Sequence, residues 1–282
     1  MRIFDVHVHV QPAWMARPDS LALLEEELTG EASLILRDAS ALLRHLDELR
    51  IERICCINYV SPDVMGFPPK VNDWIANFTK DHRDRLFPAG SVHPNATPDV
   101  RAETERILAL GMRMIKIHPP HQLFSPNAHR GEFPKLADLY AILEERGVPV
   151  MFHTGTSIFP RARNVFADPM PIDDVAIDFP KLKIILALAG RPLYGETALF
   201  LARRHRNISI DVSGIPPKGL PKHFPRFREL EDQLLWGTDW PSPGVHSMRK
   251  NIDDMRAHDL GEVFEKKLFW DNADRLFGAQ AS

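Results

Sequence analysis

Two histidines close to the N-terminus have the spacing of a metal site. They stand two residues apart in the apolar run Asp5-Val6-His7-Val8-His9. Side chains alternate along a β-strand, so His7 and His9 project from the same face and both imidazoles can reach one ion. Val6 and Val8 are then expected to be buried on the other face, beneath helices. A pair of structural histidines near a strand end is the alternative, and this run by itself leaves it open.

Eight short apolar runs predict eight strands. They begin near Ile3, Ile54, Leu86, Met112, Val148, Leu182, Ile208 and Leu234. Most of the segments between them show helical spacing of apolar residues, such as Leu42, Leu46 and Leu49. Thr97 followed by Pro98 predicts the start of a helix, while Gly111 and Gly147 stand where helices should end. Eight alternating units favour an α/β fold, a (β/α)8 TIM barrel, over a doubly wound sheet, which usually has fewer strands.

The chain reads as one domain over residues 1–282, with two long excursions from regular alternation. Residues 11–38 form an inserted segment after the first strand, which we expect to act as a lid and to expose the acidic run Glu25-Glu26-Glu27. The second excursion, residues 154–171, follows the fifth strand and carries Arg161 and Arg163.

Composition limits the classes of partner. The formal net charge is −3 and there is no run of Lys or Arg, which argues against nucleic acid. No apolar stretch approaches the roughly 20 residues that cross a bilayer, and the N-terminus does not resemble a signal peptide. Cys55 and Cys56 are adjacent in an apolar run, as expected of buried thiols in a reducing cytoplasm. Association of identical chains is left open.

Polar residues cluster where the predicted strands end. In a (β/α)8 barrel the active site lies at these carboxyl ends. His7 and His9 close the first strand, and the later candidates are His93, Lys116, His118, His153 and Asp239. Imidazoles from two strands and an opposing carboxylate would give a mixed nitrogen and oxygen shell suited to zinc or a similar divalent ion.

Five segments together resemble the amidohydrolase superfamily, and within it the amidohydrolase-related (amidohydrolase 2) group that includes aminocarboxymuconate semialdehyde decarboxylase. They are Asp5-Val6-His7-Val8-His9, Ile115-Lys116-Ile117-His118-Pro119, Phe152-His153-Thr154-Gly155, Gly190-Arg191-Pro192 and Gly237-Thr238-Asp239-Trp240-Pro241. The resemblance implies that His7, His9, His153 and Asp239 bind one metal ion, most simply zinc. It also implies that the ion activates a water molecule and that Asp239 takes a proton from it.

One position departs from the family pattern. The family usually has a histidine at the end of the sixth strand, where this chain reads Ile185-Leu186-Ala187-Leu188-Ala189-Gly190. In the family that histidine serves the attacking water or binds a second ion, and Leu188 can do neither. A positioned acid or base group contributes about 10²- to 10⁴-fold in rate. The chain is therefore a slowed enzyme, an enzyme that has recruited another group, or a binder.

Lys116 raises the question of a second metal. In some superfamily members a fourth-strand lysine is carboxylated and bridges two metals. With Leu188 at the sixth strand, we expect one metal and an uncarboxylated Lys116 that acts in catalysis by binding an anionic group of the substrate. A structural ion pair is its alternative.

Other residues are assigned to the substrate. His118, Arg161 and Arg191 are predicted to bind it, and Trp240 is predicted to wall the pocket. For each of them a structural or solvent-facing role is the alternative. We expect His93 to be structural, and His121, His129 and His246 to lie on surface loops.

Three functions remain open. The first is a metal-dependent hydrolase that acts on an ester, lactone or amide of a small anionic substrate. The second is a non-oxidative, metal-dependent decarboxylase, a carboxy-lyase. The third is a protein that binds a metal or a ligand without catalysis, which Leu188 makes a serious alternative.

Overall fold

Eight parallel strands form a nearly closed barrel in this computed structural model, which describes residues 1–28 and 31–278. The strands pair in chain order from the first to the eighth. Their bounds are β1 Phe4–His9, β2 Arg53–Ile57, β3 Leu86–Gly90, β4 Met114–Ile117, β5 Val150–His153, β6 Ile184–Ala187, β7 Ile208–Asp211 and β8 Leu234–Leu235. Their first residues lie within two positions of the predicted starts. The α/β class and the single-domain (β/α)8 barrel are thereby confirmed.

Helices alternate with the strands. They are α1 Pro18–Leu28, α2 Glu31–Ile35, α3 Ala39–Leu49, α4 Val71–Thr79, α5 Val100–Ala109, α6 Pro119–Gln122, α7 Leu136–Arg146, α8 Ile172–Asp178, α9 Gly195–Arg204, α10 Leu220–His223, α11 Met248–Arg256, α12 Glu262–Lys266 and α13 Asn272–Gly278. Short 3₁₀ turns and one π-helical turn, Lys267–Asp271, complete the list of helical elements.

The core has an inner and an outer part, because alternate residues of each strand face opposite ways. On β4 and β5, Met114 and Met151 belong to the inner cluster, while Ile115 and Phe152 pack in the larger cluster with the helices. Continuing the alternation along the same strands places Lys116 and His153 on the inner face, at the carboxyl end of the barrel.

Backbone hydrogen bonds join β1 to the residues that follow β8. Val6 N–H donates to the Trp236 carbonyl at 2.9 Å, Asp239 N–H donates to the His7 carbonyl at 2.9 Å, and His9 N–H donates to the Trp240 carbonyl at 2.8 Å. Inside this seam the Asp5 carboxylate accepts hydrogen bonds from the backbone and the hydroxyl of Thr238. The seam therefore fixes Asp239 directly beside His7 and His9.

One helix starts later than predicted, and one prediction about the inserted segment concerns side chains outside the described residues. The segment after β1 contains α1 and α2, but the side chains of Glu25, Glu26 and Glu27 lie outside the described residues. Helix α5 begins at Val100, with Asp99 as its cap, so the start predicted at Thr97 and Pro98 was wrong. The Asp99 carboxylate accepts from Ala102 N–H at 2.9 Å and stabilises this later start.

Candidate metal centre and its pocket

The first strand and the segment after the last strand bring together three side chains that could hold a metal ion. Donor atoms of His7, His9 and Asp239 lie within 4.8 Å of one another. Oδ1 of Asp239 is 3.4 Å from Nε2 of His7 and 3.1 Å from Nε2 of His9. Ligands about 2.0–2.1 Å from a tetrahedral zinc ion stand roughly 3.3 Å apart. The spacing and the donor types therefore fit a divalent ion.

Hydrogen bonds to Nδ1 of His7 and of His9 leave Nε2 of each ring facing the cluster. Nδ1 of His7 lies 2.6 Å from Oδ2 of Asp211 and 3.0 Å from Oγ of Ser213. Nδ1 of His9 lies 3.1 Å from Oε1 of Gln11. Burial lowers the pKa of His7, so its neutral ring donates from Nδ1 and keeps a lone pair on Nε2.

Asp211 was missed by the sequence analysis, although a signal for it existed. It is the last residue of β7 and stands, like His153 on β5, at the carboxyl end of a strand. Its carboxylate accepts hydrogen bonds from the backbone and hydroxyl of Ser213 as well as contacting His7. Gly237 allows this approach, because a Cβ there would lie 2.3 Å from Oδ1 of Asp211.

Asp239 is held ionised in an unusual backbone conformation. Its φ is +68°, in the left-handed region that L-residues rarely adopt, and such strain is typical of functional positions. Burial alone would raise the pKa of Asp239. The hydrogen bond with His9 and the nearby charge of Arg191 oppose this effect, and the pKa of Asp239 lies well below the usual value.

A cavity of about 180 Å³ opens above these residues. Lys116, His118, His153, Leu188 and Arg191 line it together with the three clustered side chains. The Lys116 ammonium is fully buried, and it donates a hydrogen bond to Sδ of Met151 at 3.3 Å. Among the described residues no carboxylate oxygen lies within 4.0 Å of it, and burial lowers its pKa to about 8. Lys116 is therefore available to an anionic ligand.

Three imidazoles form a parallel stack along one wall. The ring centroid of His118 lies 3.7 Å from that of His153 and 3.5 Å from that of His121. His121 is anchored by the Tyr59 hydroxyl at 3.0 Å and by Oγ of Ser157 at 2.7 Å. The expectation that His121 lies on the surface was wrong, because helix α6 folds it back under the loop after β5.

His153 stands in the pocket but outside the compact three-residue cluster. Its Nε2 is buried and has no hydrogen-bond partner among the described residues. An unpaired buried nitrogen is costly unless a ligand pairs with it, which is compatible with the role of a fourth metal ligand. That role stays a prediction.

Two predicted substrate contacts lie elsewhere. Arg161 is exposed and pairs with Asp19 at 3.1 Å, because the loop after β5 turns it toward helix α1. Trp240 is buried in the outer core and stacks on His45, and it is the following residue, Pro241, that lines the pocket. The structure therefore corrects both assignments. His93, by contrast, is buried, and its Nδ1 accepts from Asn95 N–H at 3.2 Å, as expected of a structural residue.

Comparison with known proteins identifies the family of the chain. A family model described as amidohydrolase matches residues 4–279. The chain belongs to the amidohydrolase family. No curated protein matches the sequence.

Solved structures share the fold at low sequence identity. An uncharacterized TIM-barrel protein from Bordetella bronchiseptica is 20% identical, with a TM-score of 0.74 and 99% of each chain covered. The 5-carboxyvanillate decarboxylase of Sphingomonas paucimobilis is 16% identical, with a TM-score of 0.66 and coverage of 98% of this chain and 99% of the other. A protein provisionally named 2-pyrone-4,6-dicarboxylic acid hydrolase, from Pseudomonas putida, is 18% identical, with a TM-score of 0.60 and coverage of 99% and 98%.

No helix within residues 1–28 and 31–278 is both long enough and apolar enough to cross a membrane.

Proposed function

We propose that this amidohydrolase is a metal-dependent hydrolase of a small anionic ester, lactone or amide. The observation that carries the proposal is the convergence of His7, His9 and Asp239 beneath a pocket that also contains Lys116 and Arg191. A metal site beside two cations can bind the reacting carbonyl and a negatively charged group of one molecule at the same time.

The ligands in this proposal are His7, His9, His153 and Asp239, and the ion is zinc. A divalent ion bound there would supply Lewis acidity and generate a nucleophile at neutral pH. Asp239 then has two tasks. Its Oδ1 faces both imidazoles, while Oδ2 faces Arg191 at 3.9 Å and is the atom we assign to proton transfer.

Lys116 and Arg191 orient the substrate in this proposal, with His118 at the neighbouring wall. Lys116 carries charge at neutral pH even with its lowered pKa, and the guanidinium of Arg191 is the second cation of the pocket. Apolar side chains, among them Leu24, Phe67 and Ile158, also line the pocket. The cavity is close in size to a 150 Å³ cavity that holds benzene. The substrate is therefore expected to be a small carboxylate with about one ring.

Decarboxylation is a second candidate, and Leu188 favours it. This residue ends the β6 wall of the pocket with an apolar side chain, which cannot orient or deprotonate a water molecule. Loss of carbon dioxide requires no water nucleophile, so it is less affected by Leu188. The Sphingomonas paucimobilis structure is named as a decarboxylase. The cytoplasmic location expected from the sequence stays a prediction.

An activity panel would test the proposal. Zinc-loaded and metal-stripped protein would be incubated with lactones, anilides and aromatic carboxylic acids, with hydrolysis products and carbon dioxide measured separately. We expect metal-dependent hydrolysis that Asp239→Asn abolishes, whereas Asp84→Asn, at an exposed carboxylate, leaves it unchanged. Carbon dioxide release without hydrolysis would establish the second candidate. Well-metallated protein that turns over neither set would support a non-catalytic binder.

A further inference from the structure

The β6 wall contributes two side chains to the pocket, Leu188 and Arg191. Leu188 offers no polar atom. Arg191 reaches the pocket because residues 188–190 form a left-handed turn, with φ values of 66°, 46° and 74°. This turn reverses the chain directly after the strand. The polar chemistry of the β6 wall therefore depends on where the guanidinium of Arg191 is held.

The backbone of Arg191 is fixed from two sides. Its N–H donates to the Leu188 carbonyl at 3.0 Å, and its own carbonyl accepts from Thr156 N–H at 3.1 Å. Gly155 makes the second contact feasible, since a Cβ there would lie 2.0 Å from the Arg191 carbonyl oxygen. The side chain thus starts from a rigid point.

The guanidinium lies in a space that a glycine keeps open. A Cβ added to Gly214 would lie 2.7 Å from Nη2 and 2.8 Å from Nε of Arg191, and also 2.8 Å from Oδ2 of Asp239. These distances are shorter than any normal contact of a methyl group. Gly214 follows β7 directly after Asp211 and Ser213, which position His7.

The guanidinium of Arg191 does not have a hydrogen-bond partner for each of its donors within the described residues. Nη2 of Arg191 is 3.9 Å from Oδ2 of Asp239, and Nε is buried without a hydrogen-bond partner among the described residues. A buried unpaired donor is expensive unless a ligand atom meets it. The guanidinium therefore has a donor to offer to an oxygen atom bound beside Asp239.

We infer that Gly214 is a positioning residue, which holds the guanidinium of Arg191 against Asp239 so that a permanent positive charge lies beside the reacting end of the substrate. The inference rests on the proposed function for its chemistry. The position of the Arg191 guanidinium beside Gly214 depends on the chain alone, and it can be tested without measuring turnover.

The decisive variant is Gly214→Ala, and the chain offers a matched control. Gly147 has the same φ of 63°, but nothing lies within 4 Å of a Cβ placed there. Gly147→Ala therefore imposes the same backbone strain without touching Arg191 or Asp239. The first measurement is the rate at which phenylglyoxal labels Arg191 in metal-free protein, read by mass spectrometry. We expect at least a threefold faster rate in Gly214→Ala and an unchanged rate in Gly147→Ala.

The second measurement is zinc affinity in a double-mutant cycle of Gly214→Ala and Arg191→Gln. A positive charge near the site opposes binding of a cation, so Arg191→Gln should tighten zinc binding by roughly three- to tenfold. If Gly214 acts through Arg191, Gly214→Ala tightens it similarly, and the double variant shows no additional change. The same non-additivity is expected in kcat once a substrate is known, with little change in KM.

Two results would overturn the inference. One is an Arg191 labelling rate that Gly214→Ala leaves unchanged. The other is a set of additive effects on zinc affinity, which would mean that the new methyl group acts on Asp239 directly. Wild-type protein that binds no zinc would instead contradict the proposed metal site, and the labelling rate would still decide the role of Gly214.

Discussion

Leu188 is the residue whose replacement says most about the reaction. Its backbone is left-handed, its side chain is almost fully buried, and it lines the pocket at the end of β6. Left-handed backbone at a residue other than glycine costs roughly 1–2 kcal/mol, so the fold maintains this turn at some expense. A side chain placed here is directed by the turn and not by ordinary strand packing.

We predict that Leu188→His keeps the fold and raises kcat/KM by at least about tenfold, since it supplies a positioned acid or base group. A thermal melt and an assay of the same variant test this. Leu186→His is the control, because Leu186 is buried among the outer core residues of the same strand. It should lower stability and add no activity. If Leu188→His behaves like this control, Leu188 is core packing and the predicted role of the position is wrong.

The buried ammonium of Lys116 predicts a pH-dependent KM. We expect Lys116→Ala to raise KM about tenfold or more, with a smaller change in kcat, because a charged contact to the substrate is lost. Burial lowers the pKa of Lys116 to about 8, so the cation is present below pH 8 and is lost above it. The KM of the wild type should therefore rise above pH 8, while that of Lys116→Ala should stay level.

Lys183→Ala provides the comparison for Lys116. Lys183 is partly buried and donates to the Leu276 carbonyl, and it does not line the pocket. Its replacement should leave KM unchanged at every pH. Identical kinetics of Lys116→Ala and wild type on every active substrate would leave Lys116 without a role in binding.

Among the secondary-structure elements, apolar periodicity and capping residues predicted the strands and helices. They did not predict where the residues of irregular loops lie. Every predicted strand exists, because short apolar runs separated by helical segments are typical of strands that are buried on both faces of a parallel sheet. Asp239, however, lies four residues beyond β8, and its φ of +68° could not be anticipated from a strand pattern.

The same limit explains the errors in the site. His121 and Arg161 both follow strands in sequence, and nothing in their spacing distinguishes them. The turn of α6 stacks the ring of His121 on that of His118, while the loop after β5 carries Arg161 outward to Asp19. Residues held on strands, such as His7, Lys116 and His153, reached the pocket as their alternation predicts. Residues on irregular segments could not be placed from the sequence alone.

Helix α3 allows a prediction about one element. The Asp38 carboxylate caps it by accepting from Ala41 N–H at 2.8 Å, and this bond, assisted by Arg37, lowers the pKa of Asp38. A lowered pKa in the folded state means that the contribution is complete above the unfolded pKa near 4 and is lost as pH falls below it. We expect Asp38→Ala to lower Tm by a few degrees at pH 7 and by less at pH 3.

Asp38→Asn separates the cap from its charge. Asparagine caps helices about as well as aspartate, so this variant should keep most of the stability of the wild type at pH 7. Its Tm should also depend less on pH between 5 and 3. Equal melting temperatures of Asp38→Ala and wild type at both pH values would show that α3 is stabilised by packing alone.

At the scale of the whole molecule, the candidate metal centre joins the two ends of the barrel. His7 and His9 belong to the first strand, and Asp239 follows the eighth, 230 positions after His9 in the sequence. An ion that binds all three would add a link across the seam where β1 meets β8. Its binding free energy would then contribute to the stability of the complete barrel, because the cluster does not exist in the unfolded chain.

Zinc should therefore raise the Tm of the whole protein. An ion present at 100 times its Kd stabilises the folded state by about 2.7 kcal/mol, which corresponds to a rise of roughly 5–10 °C for a chain of this size.

Elemental analysis of protein purified without chelators should find about one ion per chain. His7→Ala and His9→Ala should each lose the ion and the zinc-induced rise, whereas His246→Ala, at an exposed histidine, should keep both. Two alanine variants are needed because His7 also contacts Asp211 and Ser213, so its replacement changes packing as well as metal binding. The side chain of His9 instead forms hydrogen bonds with Gln11 and Asp239. A zinc-induced rise that survives both replacements would place the stabilising ion somewhere other than this seam.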